Sequence, residues 1–266
     1  MASRLAIALL LAIAIASACA NFIAPAGYEQ QFRDQANAAP NGNFPLGTDE
    51  LGRDRLARLL HGLRVSLLLA PATAALALCI AVVLGLTAGY VGGRADSLIL
   101  TCTDLMGSVP LLFLLISLRA VLPLDVDPAT SICITFSLLG FCGWAPGVRV
   151  VRSGVIAAAS SDYVRQTRAA GLSPVSILRV HIRAALRPVI SAQFWLLIPQ
   201  FLMAEANLGA LGLGITEPVP SVGNLLSELQ NYTAVLQEPW RLVPAAVLIM
   251  VLGCFQVLLR ESESTC

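Results

Sequence analysis

The chain has 266 residues with 17 basic and 16 acidic side chains, a formal net charge of +1, and every basic residue is an arginine. Without lysine it holds no P-loop lysine and no amine for Schiff-base chemistry, which excludes an ATPase site of its own and a pyridoxal-type enzyme. Hydrophobic residues reach 57%, charged residues only 12%, and mean hydropathy is +0.78; soluble domains carry about 25% charge, so this is a membrane chain, and its near-neutral charge gives no pull toward nucleic acid.

Six stretches approach or meet the roughly 20 apolar residues that cross a bilayer: 5–20, 65–91, 98–122, 129–148, 189–208 and 242–259. None alternates with period two, so a barrel is excluded and the fold class is all-α, a polytopic transmembrane helical bundle of about six spans. The first segment, 1–20, reads two ways. Arg4, a short apolar run and Ala18-Cys19-Ala20 resemble a secretory signal with its cleavage site, which would leave five spans; the alternative is an uncleaved first span. Either way, residue 21 starts outside.

Residues 21–64 read as an external segment. Within it, 49–64 has the pattern of an amphipathic interfacial helix, with Leu56, Leu59, Leu60 and Leu63 on one side and Asp54 and Arg58 as an i,i+4 pair. Residues 65–260 form the membrane domain, and 261–266 a short tail on the cytoplasmic side. Pro71 in the second span and Pro199 in the fifth can kink their helices and leave room along a pathway. Asp104 falls in the first turns of the third span, where an acid favours a helix N-terminus; a pathway role is the alternative. Seven cysteines form no CxxC pair, and His61 and His181 stand alone, so no metal set is expected.

Orientation follows arginine placement. Residues 149–187 carry seven arginines against one acid, Asp162, which puts this loop in the cytoplasm. The 119–128 loop with Asp125 and Asp127 then lies outside, as does 209–241. The 21–64 segment resists this scheme: five arginines fall outside.

The basic loop has a built-in corner. Ser161 or Asp162 caps a short helix, Gly171 supplies the left-handed residue that ends it, and Ser173-Pro174 restarts a second helix with Ser as N-cap and Pro at N1. Such an element suits docking by a soluble partner; a solvated loop obeying the positive-inside rule is the plainer alternative. In the fifth span Glu205, beside Asn207, is costly in a membrane unless it faces a cavity or a partner, or snorkels to the interface. Gly209, Gly212 and Gly214 follow no strand, so they mark close helix approach rather than a dinucleotide fingerprint.

These residues resemble a known family. The loop at 161–188 is similar to the cytoplasmic "EAA" loop of ABC-importer permeases. The resemblance extends to the dipeptide/oligopeptide/nickel permeases through Pro45-Leu46-Gly47-Thr48-Asp49 with Gly52-Arg53-Asp54, then Arg64-Val65-Ser66-Leu67, Gly89-Tyr90-Val91-Gly92-Gly93, the pair Asp104 and Pro110, Ala204-Glu205-Ala206, Leu211-Gly212-Leu213-Gly214, and Pro220-Ser221-Val222-Gly223-Asn224. It departs where the family's Glu-Ala-Ala falls on Arg165-Gln166-Thr167, where Val222 replaces a tryptophan, and where the Ile-Leu-Pro run becomes Ile182-Arg183-Ala184.

The resemblance implies a type I ABC-importer permease fold in a bacterial inner membrane, and a subunit that is not itself an enzyme. Peptides or a similar small solute would arrive on an external solute-binding protein and pass between this chain and a second permease subunit. ATP and Mg would be held by separate ABC ATPase subunits, with no cofactor on this chain. The ATPase would dock on Asp162, Tyr163, Val164, Arg165, Arg168, Ala169, Gly171, Ser173 and Pro174. Pathway or gate candidates are Glu205, Asn207, Pro199 and Asp104. Two other classes stay open: a secondary transporter or channel, which needs ion-coupling acids, and a non-transporting membrane scaffold derived from a permease.

Overall fold

A computed structural model describes residues 2–24, 26–123 and 126–264, and among these no β-strand forms. Met1 of the first segment, Asp125 of the 119–128 loop, and residues 265–266 of the tail, with Cys266, lie outside the described residues. The chain opens on an apolar helix α1 (Ala2–Ala18) and a single turn α2 (Ala20–Ile23). The long α3 (Arg55–Val91) follows, then α4 (Gly93–Ser108), α5 (Leu111–Val121), α6 (Pro128–Cys142) and α7 (Ala145–Ala159). Two short helices, α8 (Asp162–Ala169) and α9 (Pro174–Ile177), lead through a π turn at Leu178–Ile182 into α10 (Arg183–Ala210). The remainder holds α11 (Val222–Ser227), α12 (Tyr232–Gln237) and α13 (Val243–Ser264).

Among the described residues three continuous helical stretches are long and apolar enough to cross a membrane: Arg55–Val91, Pro174–Ala210 and Pro239–Arg260. The count is five if each of two bent pairs is one span, and α1 is a shorter apolar helix beside them. The expected third and fourth spans are therefore not single rods. α4 and α5 meet at 83°, and α6 and α7 at 42°. Both breaks have a proline behind them. Pro110 drives Val109 into extended backbone (φ −100°, ψ 127°), as a residue before proline prefers. Pro146, at the start of α7, has no N–H to give the Cys142 carbonyl that ends α6. The helices run on without a break through Pro71 and Pro199.

The expected interfacial helix at 49–64 is also redrawn. Residues 49–54 are turn, and the helix begins at Arg55 and runs on as the first turns of α3. Asp54 is the reason for the start: its carboxylate accepts from the Leu56 amide at 2.9 Å, the geometry of an N-cap. It does not pair with Arg58 as expected. Leu59, Leu60 and Leu63 are buried, so this face packs against protein rather than lying on lipid.

The chain divides into two compact units: Met1–Ala70, Ile116–Ser137 and Pro199–Cys266 in the first, Pro71–Leu115 and Leu138–Ile198 in the second. In the first, α1 packs along α13, and Leu59, Leu63, Ala206, Val222, Leu225 and Leu248 form a core. In the second, α4 packs on α7, and the core gathers Val151 and Val155 of α7, Val164 of α8, Ile177 of α9, Ile182 of the π turn and Leu186 of α10. The basic loop is thus tied into the second unit's core by its own residues.

Candidate functional site

The corner in the second unit is built by backbone chemistry. Ser161 enters α8 in extended conformation (φ −67°, ψ 149°). At the far end the Gly171 amide donates to the Arg168 carbonyl at 3.1 Å, and the Leu172 amide reaches back to Thr167 at 3.4 Å. That pair of bonds is a Schellman motif, and it requires its C′ residue in the left-handed region; Gly171 has φ +84°. Ser173 then caps α9, its hydroxyl accepting from the Ser176 amide at 3.3 Å, with Pro174 first in the helix. The Tyr90 hydroxyl donates to the Pro174 carbonyl at 2.9 Å, fixing the second arm of the corner to the end of α3.

Only one side chain of α8 is inward. Val164 is buried, whereas Tyr163, Arg165, Gln166, Arg168, Ala169 and the following Gly171, Ser173 and Pro174 are exposed. The Tyr163 ring leans on His181, centroids 5.8 Å apart. Asp162 stands in the first turn of α8 and Arg168 in the last, the arrangement that complements the helix dipole. Arg165 is not free: its guanidinium lies 2.8 Å from Asp162, and with both groups exposed the pair is worth about 1 kcal/mol at most. Leu172 and Val175 are exposed apolar side chains on the same corner. The sequence reading missed them because an apolar residue in a loop gives no sign of which way it points.

In the same unit Asp104 lies well inside α4, not at a helix N-terminus, which corrects the role expected for it. It is exposed and takes the Arg149 guanidinium at 2.7 Å. One turn further along α7, Arg152 holds both oxygens of Asp96, at 2.5 and 2.6 Å. Two arginines counted as loop charges therefore bind α7 to α4.

In the first unit Glu205 is fully buried. Ser66 of α3 donates to its Oε2 at 3.0 Å, and the Val222 amide approaches the same hydroxyl at 3.4 Å. Oε1 has no hydrogen-bond partner of good geometry, although Ser221 and the Gly223 backbone lie beside the carboxyl. A residue with no accessible surface inside its own unit knits α10 to α3 and α11. Asn207 is exposed, and Pro199 is partly buried in α10. These neighbours do not converge on Glu205: its contacts are Ser66 and the 221–223 turn, which the sequence reading did not connect to it. Gly209 explains how the turn comes so close, since a Cβ there would lie 2.4 Å from the Gly223 carbonyl carbon.

The 45–54 motif folds as a tight loop held by charge. Asp49 accepts from the amides of Leu51 and Arg53 at 2.9 and 2.8 Å and pairs with the Arg53 side chain at 2.7 Å. Arg53 also reaches Glu217 at 2.6 Å, and Arg58, nearly inaccessible to solvent, takes both Glu217 oxygens. Arg55 pairs with Glu228 and donates to the Thr48 carbonyl at 2.9 Å. Burial pushes the Glu217 carboxyl up, but the Arg58 hydrogen bond and the Arg58 and Arg53 charges outweigh it and hold the group below the usual glutamate value. At Asp54 burial wins over the Leu56 and Ala57 amides and raises the carboxyl. These contacts engage arginines of the 21–64 segment. Three of the five pair with acids at 49, 217 and 228, which puts the 21–64 and 209–241 segments on the same side.

Membrane-length apolar helices with no strand among the described residues, a tightly turned basic loop and an ion-paired extramembrane layer define a multi-pass membrane protein. The chain belongs to the family described as binding-protein-dependent transport system inner membrane component, which it matches over residues 81–260. It is 31% identical to the di/tripeptide transport system permease protein DppC of Pseudomonas aeruginosa over 255 residues, 93% of this chain and 81% of that protein. It is 32% identical to the oligopeptide transport system permease protein OppC of Bacillus subtilis, covering 84% and 70% of the two chains. With the dipeptide transport system permease protein DppC of the same organism it shares 30% identity over 89% and 72%. The chain is therefore a transport permease of the ABC type.

Proposed function

We propose that this chain is a membrane subunit of an ATP-driven importer in a bacterial inner membrane, moving peptides or a similar small solute delivered by an external binding protein. Two such permease subunits frame the pathway, and each docks on an ATPase subunit that binds ATP and Mg; this chain supplies no catalytic group. The observation that carries the reading is the corner at 161–174. α8 buries Val164 in the core and presents Tyr163, Arg165, Arg168 and the exposed Leu172 and Val175 outward. Its position is fixed by the Schellman turn and the Tyr90 bond, so a push on α8 is passed to α7 and α10 through the core they share. Closure of an ATPase pair would then favour one of two helix arrangements, and differential affinity for those arrangements does the work.

The relatives named above as peptide permeases support the solute class. The test is reconstitution of the chain with its ATPase, second permease and binding protein in proteoliposomes. Uptake of di- to oligopeptides should require internal ATP and the binding protein. Uptake that survives ATP depletion but collapses with the ion gradient would overturn the reading in favour of a secondary transporter.

A further inference from the structure

Arg179, Arg183 and Arg187 line one shallow cleft of about 230 Å³, with Val180 and Ala184 completing its wall. The spacing of four residues stacks side chains on one helix face, and the π turn that contains Arg179 is a local widening of a kind often found at functional sites. All three arginines are exposed, and among the described residues none is paired with an acid. Arg149, Arg152 and Arg165 of the same unit each hold one. Val180, in the same wall, is exposed. The cleft therefore offers three cations without an acid partner, with an exposed apolar side chain beside them.

Its place along the chain sets what can fill it. The membrane-length stretch Pro174–Ala210 has 37 residues, roughly 55 Å as helix, against a hydrocarbon core of about 30 Å. Its apolar part is 189–208, so the arginines occupy the turns just before it enters hydrocarbon, at the depth of lipid headgroups. We infer that the Arg179–Arg183–Arg187 cleft binds the phosphate-bearing headgroup of an anionic phospholipid, the guanidiniums taking the phosphate and Val180 and Ala184 taking the start of the acyl chains. Guanidinium matches phosphate by forked hydrogen bonding, and basic clefts beside membrane helices suit anionic lipid. This inference rests on membrane residence, which the family establishes, and not on ATP-driven import.

The test uses the delipidated full chain in neutral detergent, without any ATPase, and native mass spectrometry with phosphatidylglycerol or phosphatidylcholine of identical acyl chains. Phosphatidylglycerol should be retained in preference, and less so as salt rises. Each basic side chain at an anionic surface contributes about fivefold in affinity, so R179Q/R183Q/R187Q should weaken retention on the order of a hundredfold. Single Arg→Gln variants, each losing about fivefold, keep the test decisive should the triple variant not purify. The R179K/R183K/R187K variant should keep the preference for phosphatidylglycerol, which charge sets, but retain it more weakly than the wild-type chain, because lysine lacks the guanidinium fork. Equal retention of the two lipids by the wild-type chain overturns the site. So does an unchanged phosphatidylglycerol preference in the Gln variants.

Discussion

Arg58 grips both carboxylate oxygens of Glu217, at 2.7 and 3.2 Å, across 159 residues of sequence. Arg58 leaves the first turn of α3 and is 2% exposed, whereas Glu217 keeps half of its side chain in solvent. The contact joins the motif loop at 45–54 to the segment that follows α10, and Arg53 adds a second cation to the same carboxylate. A bidentate guanidinium pair with one buried partner fixes direction as well as distance.

That geometry predicts acid sensitivity of this layer. Glu217 is held below its unfolded value of about 4.3. A depressed folded value means that the stabilisation is present above the unfolded value and is lost as pH falls through the folded one. Half-exposure and screening limit the effect to about 1 kcal/mol. Thermal unfolding in detergent should therefore lose stability below about pH 4 in the wild-type chain, and Glu217→Gln should flatten that part of the profile. An identical acid limb in the variant would show that other carboxylates carry it.

Local features of the fold were legible in the sequence, and long-range ones were not. Gly171 and Ser173-Pro174 announced the corner because capping and left-handed turns are decided by a few adjacent residues, and the apolar runs announced the membrane helices. The breaks near Pro110 and Pro146 are not legible because hydropathy runs straight through them, while the helices run on through Pro71 and Pro199 without a break. Arg58 with Glu217, Asp104 with Arg149, and Glu205 with Ser66 lie 45 to 159 residues apart. One chain viewed as a string gives no register between them, so Asp54 seemed the natural partner of Arg58. The same limit applies to Glu205, whose cost in a membrane was readable but whose closed surroundings were not.

Gly171 separates a local strain from a docking defect. A Cβ at this position would meet nothing within 4 Å, so the cost of substitution in this chain is the left-handed backbone, φ +84°, about 1–2 kcal/mol. Gly171→Asp should leave insertion and monodispersity unchanged and abolish association with the ATPase subunit. Gly171→Asn, which matches Asp in size and in tolerance of that conformation but carries no charge, should lose less. Pull-down of the ATPase at wild-type yield with the Asp variant would sink the docking role of the corner.

Glu205 should behave as a packing group and not as a pathway acid. Glu205→Gln keeps the shape and an acceptor for Ser66, so both stability and peptide uptake should stay near wild type. Glu205→Leu removes the acceptor and strands the buried Ser66 hydroxyl, a loss of about 1–3 kcal/mol in unfolding assays. A Gln variant with normal stability and severely reduced uptake would instead put the carboxyl in the transport path.

Two glycines should respond in opposite directions to the same added methyl. Gly209 of α10 touches the 221–224 turn so closely that a Cβ would lie 2.4–2.7 Å from Gly223 and Asn224 backbone atoms. Backbone cannot swing aside as a side-chain tip does, so Gly209→Ala must part α10 from the turn that also surrounds Glu205. The expected loss is about 1–3 kcal/mol, with loss of the Ser66–Glu205 contact as a nearby consequence. Gly253 lies in α13, and a Cβ there would meet nothing within 4 Å. Gly253→Ala should stabilise the helix by about 0.5–1 kcal/mol through the unfolded chain and helix propensity. Thermal melts of both variants in one detergent make the comparison, and a Gly209→Ala chain as stable as the wild type would show that the α10 to α11 approach is looser than its geometry requires.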